Sequence, residues 1–251
     1  MKISFEEKVV FISGAASGFG KLAAERFYEG GARLALIDLN HEALLQASAD
    51  FGDRAMALQC DVTSSVQLAS VFEQIRAKWG VLDIAVNNAG KAQDVKNLEQ
   101  ITDIEWQQMI DINLSGVFFA MREQIKTMLG QGSGVVVNVA SVAGVLGAPG
   151  LGGYGAAKHG VVGLTRTAAV EHAADGIRVN AVCPGFSETP MMTAIRDSAS
   201  SDLDTSATSR IPMGRIATPD EIVQALLWLC SEGNSFMTGS SVVLDGGLTA
   251  C

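Results

Sequence analysis

Short apolar runs alternate with segments of helical spacing along the whole chain. The strand-like runs lie at 8–13, 34–37, 56–58, 82–86, 135–140, 177–182 and 241–244. Helical spacing occurs at 18–28, 42–51, 65–78, 103–129, 154–173 and 219–231. The strand-like runs are continuously apolar, which is typical of a parallel sheet buried on both faces. The pattern predicts an α/β fold: a single Rossmann-like, doubly wound parallel sheet of about seven strands with helices on both faces.

One interval departs from this alternation. Residues 184–218 are irregular, and 186–210 are rich in Ser, Thr, Asp and Met. Long loops inside a compact domain are commonly lids, so we predict a substrate lid at about 186–210. No linker, low-complexity tract or solenoid repeat is visible elsewhere, which predicts a single domain over residues 1–251.

The composition narrows the classes of function. The 251 residues carry a net charge of −9 and no basic run, which argues against nucleic acid and against an anionic membrane as partners. No apolar stretch approaches the roughly 20 residues of a membrane span, and charges within residues 1–8 argue against a signal peptide. The four cysteines are scattered and the three histidines form no HExxH motif. We therefore predict no metal site and a cytoplasmic protein with reduced thiols.

The candidate chemistry centres on Tyr154 and Lys158. Residues four apart share one face of a helix, so the two side chains are expected to point the same way. An ammonium beside a phenol favours the phenolate and lowers the tyrosine pKa, and such a tyrosine exchanges a proton with an alcohol or a ketone. Ser141 follows the strand at 135–140, which places its hydroxyl at a carboxyl end of the sheet. An isolated pair of this kind is more commonly a packed tyrosine and a solvated lysine, so the rest of the chain decides.

A glycine-rich turn follows the first strand and precedes the first helix. Its glycines are spaced GxxxGxG, and this context suits a pyrophosphate held at a helix N-terminus. The candidate cofactor residues of the turn are Gly14, Ser17, Gly18, Phe19 and Gly20.

Asp38 ends the second strand. A carboxylate at this point accepts hydrogen bonds from the adenosine ribose hydroxyls and repels a 2′-phosphate. Its neighbours Ser17, Leu39 and Asn40 supply no compensating cation, so NAD is predicted over NADP, with Leu39 included among the cofactor residues. The alternative interpretation is that Asp38, together with Asn40, caps the next helix.

These motifs resemble the short-chain dehydrogenase/reductase family in its classical single-domain form. The resemblance runs from about Glu7 to Gly247 and so covers nearly all of the chain. Besides the glycine turn, the matching positions are Asp61-Val62, Asn87-Asn88-Ala89-Gly90, Asn113, Ser141, Tyr154, Lys158, Pro184-Gly185, Thr189 and Asp245-Gly246-Gly247.

The resemblance implies a role for each catalytic position. Ser141 would hold the substrate oxygen, and Tyr154 would be the general base in oxidation and the general acid in reduction. Lys158 would bind the nicotinamide ribose and lower the tyrosine pKa, helped by the positive oxidised nicotinamide. Asn113 would hold a water that links Lys158 to solvent, whereas His159 is interpreted as structural.

The resemblance also assigns the remaining cofactor contacts and shows departures. Asp61 would lie near the adenine amine, and Pro184, Gly185 and Thr189 would meet the nicotinamide carboxamide. Further cofactor residues are Val62, Asn88, Ala89 and Gly90. Three departures from the family pattern are Ser13 in place of threonine, Ser187 in place of a branched apolar residue near the nicotinamide, and Lys91 in place of an apolar residue at the pocket rim.

The predicted substrate walls are apolar. The lid would contribute Phe186, Met191, Met192 and Ile195, and the opposite wall would contain Ala143, Val145, Leu146 and Ala148. Lys91 and Gln93 are the candidate polar contacts. Such walls suggest an apolar or weakly polar secondary alcohol, or its ketone, as the small-molecule substrate.

Three functions stay open from the sequence. The first is an NAD-dependent alcohol dehydrogenase or carbonyl reductase. The second is an NADPH-type 3-oxoacyl-(acyl-carrier-protein) reductase, which Asp38, the acidic charge and the lack of Lys or Arg at 128–134 disfavour. The third is a non-catalytic dinucleotide sensor.

The family resemblance further implies a homotetramer, assembled through the helices around 105–129 and 154–173 and through the last helix and strand.

Overall fold

The computed structural model describes residues 3–193 and 208–250, and within them one seven-stranded sheet organises the chain. All strand pairs are parallel, in the order β3-β2-β1-β4-β5-β6-β7. The predicted parallel sheet is thus confirmed. Its strands are β1 Val9–Ser13, β2 Arg33–Asp38, β3 Ala55–Gln59, β4 Ile84–Asn87, β5 Gly134–Val139, β6 Ile177–Pro184 and β7 Ser241–Leu244.

The helices cover both faces of the sheet, as predicted. They are α1 Gly18–Glu29, α2 His41–Ala47, α3 Ser65–Trp79, α4 Asp103–Ile110, α5 Gly116–Leu129, α6 Gly152–His172 and α7 Pro219–Cys230. One apolar core packs α3, α5 and α6 against the sheet, and a second packs α1, α2 and α7 against the other face. The strands are buried from both sides, which explains their uninterrupted apolar runs.

The segment predicted as one helix at 103–129 contains a π-helical turn, Asp111–Ser115, between α4 and α5. A single π turn inserts one extra residue without ending the helix, so the apolar spacing hides it. Two other predicted helices differ at their ends: α2 stops at Ala47 and a 3₁₀ segment follows at Ala49–Arg54, whereas α6 begins at Gly152.

A buried polar network joins the sheet to α5 and α6. Asn87 Nδ2 donates to Gln124 Oε1 at 3.0 Å and to Asn138 Oδ1 at 2.8 Å, and Gln124 Nε2 donates back to Asn87 Oδ1 at 2.7 Å. Asn138 Nδ2 donates to Thr165 Oγ1 at 2.9 Å. Because buried polar groups are costly unless paired, this network specifies how α5 and α6 sit on β4 and β5.

Three cysteines in the described part of the chain, Cys60, Cys183 and Cys230, are buried free thiols. Across residues 3–193 and 208–250, no helix has the length and apolar character that crossing a membrane requires. Of the predicted lid, residues 186–193 and 208–210 are described, and Ile195 lies outside the described residues.

Candidate active site

A cavity of about 600 Å³ opens at the carboxyl ends of the strands. This is the edge where ligands bind in doubly wound sheets, at the point where the strand order reverses; here β2 and β4 flank β1. Every predicted cofactor residue lines the cavity except Gly20, and so do Ser141, Tyr154 and Lys158. Gly20 and Asn113 do not line the cavity. They contact residues that do: Gly20 packs against Gly14, and Asn113 binds the backbone of Lys91.

The glycine turn brings the backbone of β1 close to the end of β4. Gly14 and Gly18 have positive φ angles of 65° and 54°, which favour glycine. A Cβ on Gly20 would come 2.1 Å from the Gly14 carbonyl oxygen, and a Cβ on Gly14 would come 2.9 Å from Ala89 Cα. Gly14 and Gly20 therefore leave room that a side chain would fill, and Gly18 supplies the positive φ of the turn.

The end of β4 is fastened to the same turn by Asn88 and Ser13. Asn88 Nδ2 donates to the Ser13 and Gly14 carbonyl oxygens, both at 3.0 Å. The Ser13 hydroxyl oxygen accepts from the Asn88 and Ala89 amides, both at 3.1 Å. The serine that replaces the family's threonine thus keeps the hydroxyl needed to join the two strands.

The first turn of α1 fits an anionic phosphate group. Ser17, Gly18 and Phe19 line the cavity, and the Ser17 side chain makes no capping hydrogen bond. The first N–H groups of a helix have no partner within it and carry partial positive charge. These amides form a cradle that could hold the pyrophosphate of a dinucleotide, as helix N-termini do for other anions.

Asp38 anchors the glycine turn and faces the same cavity. Its Oδ2 accepts from the Ala16 amide at 3.0 Å, and its Oδ1 accepts from the Asn40 amide at 2.9 Å. The N-cap of α2 is Asn40, whose Oδ1 accepts from the Ala43 amide at 3.1 Å. Of the two residues in the alternative interpretation, Asn40 is thus the N-cap of α2, and Asp38 supports it by accepting from the Asn40 amide. Within the described residues, Asp38 forms no ion pair.

Asp61 and Val62 form the adjoining wall after β3. Asp61 Oδ1 accepts from the Thr63 amide at 2.9 Å and from the Thr63 hydroxyl at 2.8 Å. A Cβ on Gly116 would lie 2.9 Å from Val62 Cγ2, so α5 begins directly against this wall. The start of α5 thereby sets the position of the predicted adenine pocket.

Ser141, Tyr154 and Lys158 meet where β5 ends against α6. The Ser141 hydroxyl oxygen accepts from the Ala143 amide at 3.1 Å, and the Tyr154 amide donates to Gln93 Oε1 at 2.8 Å. Lys158 Nζ donates to the Val139 carbonyl oxygen at 2.8 Å and lies 5.6 Å from the centre of the Tyr154 ring. The one-face prediction for Tyr154 and Lys158 agrees with this geometry.

The ionisation of this group differs from the sequence prediction. Burial raises the pKa of Tyr154, and its hydrogen bond with Ser141 lowers that pKa by a smaller amount. Burial also lowers the pKa of Lys158 to about 8. The expectation that Lys158 lowers the pKa of Tyr154 is wrong for this chain by itself, since burial of the phenol dominates and the ammonium donates to a backbone carbonyl instead.

Asn113 lies in the π-helical turn, fully buried. Its Oδ1 accepts from the Lys91 amide and its Nδ2 donates to the Lys91 carbonyl oxygen, both at 3.1 Å. A Cβ on Gly90 would lie 2.8 Å from Asn113 Oδ1 and 3.7 Å from Lys158 Nζ. Asn113 therefore holds the strand end next to Lys158, and the extra residue of the π turn brings it there.

The apolar end of the cavity matches most of the predicted substrate walls. Phe186, Met191 and Met192 line it from the lid side, opposite Ala143, Leu146 and Ala148. Val145 does not line the cavity and is 37% exposed, because the 3₁₀ turn Val142–Gly144 ends before it and directs it to solvent.

The predicted polar contacts are largely occupied by the protein itself. Gln93 binds the Tyr154 amide, and Lys91 Nζ donates to Gln108 Oε1 at 3.1 Å. His159 is exposed, with Nδ1 2.9 Å from the Gly155 carbonyl oxygen, in line with a structural role. Sequence reasoning did not name Arg210 and Leu248, which also line the cavity. No local motif marks them, because Arg210 is the last residue of the predicted lid and Leu248 lies in the loop after β7.

Comparisons with known proteins match nearly the whole chain to a single family. A family model described as enoyl-(acyl carrier protein) reductase matches residues 14–249. Cis-4-hydroxycyclohexanecarboxylate dehydrogenase of Sinomonas cyclohexanicum is 38% identical, over 98% of each chain. The chain belongs to the short-chain dehydrogenase/reductase family.

Other family members that are similar to this chain have different named activities. Cyclohexanol dehydrogenase of an Acinetobacter species is 36% identical over 100% of this chain and 98% of its own. The 3-oxoacyl-[acyl-carrier-protein] reductase of Thermotoga maritima is 39% identical over 97% of this chain and 98% of its own. The crystal structure of levodione reductase superposes with a TM-score of 0.92 at 35% identity, covering 98% of this chain and 99% of the other. This short-chain dehydrogenase/reductase is accordingly an oxidoreductase that acts on alcohols and ketones, and its family binds a nicotinamide dinucleotide.

Proposed function

We propose that this enzyme is an NAD-dependent dehydrogenase of cyclic secondary alcohols, which it interconverts with the corresponding ketones. The observation that carries the proposal is the meeting of Ser141, Tyr154 and Lys158 in one cavity, between a phosphate cradle and an apolar pocket. Two of its relatives are named for cyclohexane alcohols. The pocket's apolar walls suit such a ring, because burying apolar surface is favourable and its few polar groups orient the hydroxyl.

In this proposal the chain supplies proton transfer and orientation. The Ser141 hydroxyl holds the substrate oxygen, and Tyr154 takes the alcohol proton during oxidation and returns it during reduction. Lys158 holds the nicotinamide ribose, and Asn113 holds the water that connects Lys158 to solvent. The dinucleotide, when bound, supplies the two-electron acceptor for the hydride of the carbinol carbon and a positive ring that favours the phenolate.

The proposal is tested with Tyr154→Phe. This variant keeps the ring and removes the acidic hydroxyl, so turnover of cyclohexanol with NAD should be abolished while NAD binding, measured by calorimetry, stays within about twofold. His159→Ala serves as the control, since His159 lies on the same helix and outside the cavity. Normal activity of Tyr154→Phe would end the proposal.

The choice of NAD over NADP follows from Asp38. The carboxylate faces the cavity without an ion pair in the described residues, and a 2′-phosphate next to it would meet a repulsion of several kcal/mol. We expect kcat/KM with NAD to exceed that with NADP by about 100-fold or more. Asp38→Asn keeps an acceptor for the Asn40 amide and removes the charge, so it should narrow this ratio. A wild-type preference for NADP would overturn the assignment.

A second candidate function is reduction of 3-oxoacyl groups on acyl carrier protein. A 39% identical relative with that name favours it, whereas Asp38 and the net charge of −9 oppose it, because the reaction normally uses NADPH and an acidic carrier protein. Reduction of acetoacetyl thioesters with NADPH, faster than oxidation of cyclohexanol with NAD, would favour this function instead. A failure of every alcohol and thioester would point to the non-catalytic sensor.

We further propose a single-domain enzyme that assembles as a homotetramer in the cytoplasm. Large apolar side chains are exposed on the elements expected at the interfaces, Trp106 on α4, Phe118 on α5 and Trp228 on α7. Burying such side chains between copies would be favourable. Light scattering coupled to size exclusion should give four times the 26.3 kDa chain mass, and a monomer at micromolar concentration would contradict this.

A further inference from the structure

Arg210 is an exposed cation that lines the cavity. Arg210 is the last residue of the predicted lid. The next residue, Ile211, is buried against the loop after β7, where a Cβ on Gly246 would lie 2.6 Å from Ile211 Cγ2. The Met213 amide donates to the Gly246 carbonyl oxygen at 3.1 Å. These contacts fix the backbone next to Arg210 against the loop after β7. Arg210 and Leu248 both line the cavity.

Within the described residues Arg210 has no ion-pair partner, and the nearby Asp245, next to Gly246, accepts instead from the Gly247 and Thr249 amides. The Arg210 guanidinium also makes no hydrogen bond in the described part of the chain, whereas the other lining cations, Lys91 and Lys158, donate to Gln108 and Val139. The lining acids are Asp38 and Asp61, after β2 and β3. In the sheet order β2 lies five strand positions from β7, which is about 24 Å at roughly 4.8 Å per strand. That separation exceeds two screening lengths of about 10 Å.

The position of Arg210 relative to the proton-transfer group defines what it can hold. Ser141 follows β5, two strand positions from β7, or about 10 Å. Arg210 and Ser141 line the same cavity, and an arginine side chain is long enough to span part of such a gap. A six-membered ring that carries the hydroxyl on one carbon and an anionic group on the opposite carbon bridges the remainder.

We infer that Arg210 binds a carboxylate on the substrate, opposite the reacting hydroxyl, so that the preferred substrates are cyclic hydroxy acids. The inference rests on the proposed function. A guanidinium matches a carboxylate through two parallel N–H···O hydrogen bonds, and the apolar walls between Arg210 and Ser141 take the ring. The carboxylate takes no part in the redox step, in which the carbinol carbon loses a hydride to the nicotinamide and the hydroxyl loses a proton.

The test compares the 4-hydroxycyclohexanecarboxylates, cis and trans, with the matching carboxamides and with cyclohexanol, all with NAD. The wild type should show kcat/KM for the better acid about 10- to 100-fold above that of its amide, the range expected for charge-assisted hydrogen bonds. Arg210→Met keeps the stem and removes the charge, so the acid-to-amide ratio should fall to about one. Arg210→Lys should keep part of the ratio, since it retains charge without the bidentate geometry. Arg215→Met is the matched control, because Arg215 pairs with Glu221 on the exposed surface and its loss should leave the ratio unchanged.

The results that would overturn the role of Arg210 differ from the results that would overturn the proposed function. Equal kcat/KM for acid and amide in the wild type overturns the role of Arg210, while oxidation of cyclohexanol leaves the proposed function standing. A rise in KM for NAD with an unchanged acid-to-amide ratio in Arg210→Met also overturns it, since Arg210 would then contact the cofactor. If no alcohol is oxidised, the proposed function fails and the inference fails with it.

Discussion

The ammonium group of Lys158 is buried in the wall of the cavity. Replacing Lys158 by methionine tests how much this burial lowers the free energy of unfolding. The residue is 3% exposed, and Nζ donates to the Val139 carbonyl oxygen at 2.8 Å. Burial lowers the pKa of Lys158 from 10.5 to about 8. Methionine keeps most of the apolar stem and removes the charge, so the variant isolates the ionisation.

The magnitude follows from proton linkage. The unfolded chain holds the lysine proton up to about pH 10.5, whereas the folded chain holds it only up to about pH 8. Between these values the unfolded state binds more protons, so the free energy of unfolding rises with pH. At about 1.4 kcal/mol per pKa unit, the charged lysine costs about 3 kcal/mol near neutral pH. About 2 kcal/mol of this is recovered between roughly pH 7.5 and pH 10.

The assay is urea unfolding across that pH range, followed by tryptophan fluorescence, for wild type, Lys158→Met and the exposed-site control Lys21→Met. Relative to Lys158→Met, the wild type should gain about 2 kcal/mol in the free energy of unfolding as the pH rises. Loss of the hydrogen bond to Val139 shifts the whole difference without changing its slope. The buried thiol Cys60, whose pKa burial raises to about 11, is present in all three proteins and cancels in the difference. Cys183, whose pKa burial also raises to about 11, interacts with Lys158, so all three proteins are made in a Cys183→Ala background. A difference that stays flat with pH would refute the reasoning.

Three further substitutions test the glycine turn, the β1–β4 connection and the α7 cap, each by the free energy of unfolding in urea. Gly20→Ala would place a Cβ 2.1 Å from the Gly14 carbonyl oxygen and should destabilise the protein by about 3 kcal/mol or more; near-wild-type stability would contradict the observed turn. Ser13→Ala leaves two backbone amides without an acceptor and should cost about 1–3 kcal/mol, while the control Ser13→Thr should cost little. Thr218→Ala removes the capping box with Glu221 at the start of α7 and should cost about 1 kcal/mol; no loss would show that the cap is dispensable.

Several features of the site were predictable because they are local in the chain. The glycine turn lies within eight residues of β1, and Tyr154 and Lys158 are four apart on α6, so spacing alone places them. Ser141 was predictable for the same reason, as the residue that follows an apolar strand. Each of these predictions needs only the geometry of one element and its ends.

Other features depend on packing between distant segments. Asn113 reaches Gly90 and Lys158 because a π turn adds one residue to an otherwise regular helix, and apolar spacing does not reveal that insertion. Val145 was predicted at the substrate wall on chain proximity, yet a short 3₁₀ turn directs it to solvent. Arg210 reaches the cavity through the packing of Ile211 on the loop after β7, which no pattern within the lid indicates.

The sequence by itself determined the parallel sheet and the helices on both its faces, because periodicity expresses the geometry of single elements. Spacing together with the family resemblance also singled out Ser141, Tyr154 and Lys158. The tertiary structure alone decided which of these residues share a cavity, that Asn40 is the N-cap of α2, and that Arg210 lines the cavity. It also decided the ionisation of Tyr154 and Lys158. A pKa in a folded protein depends on the burial that all surrounding segments produce together, and no stretch of sequence contains that sum.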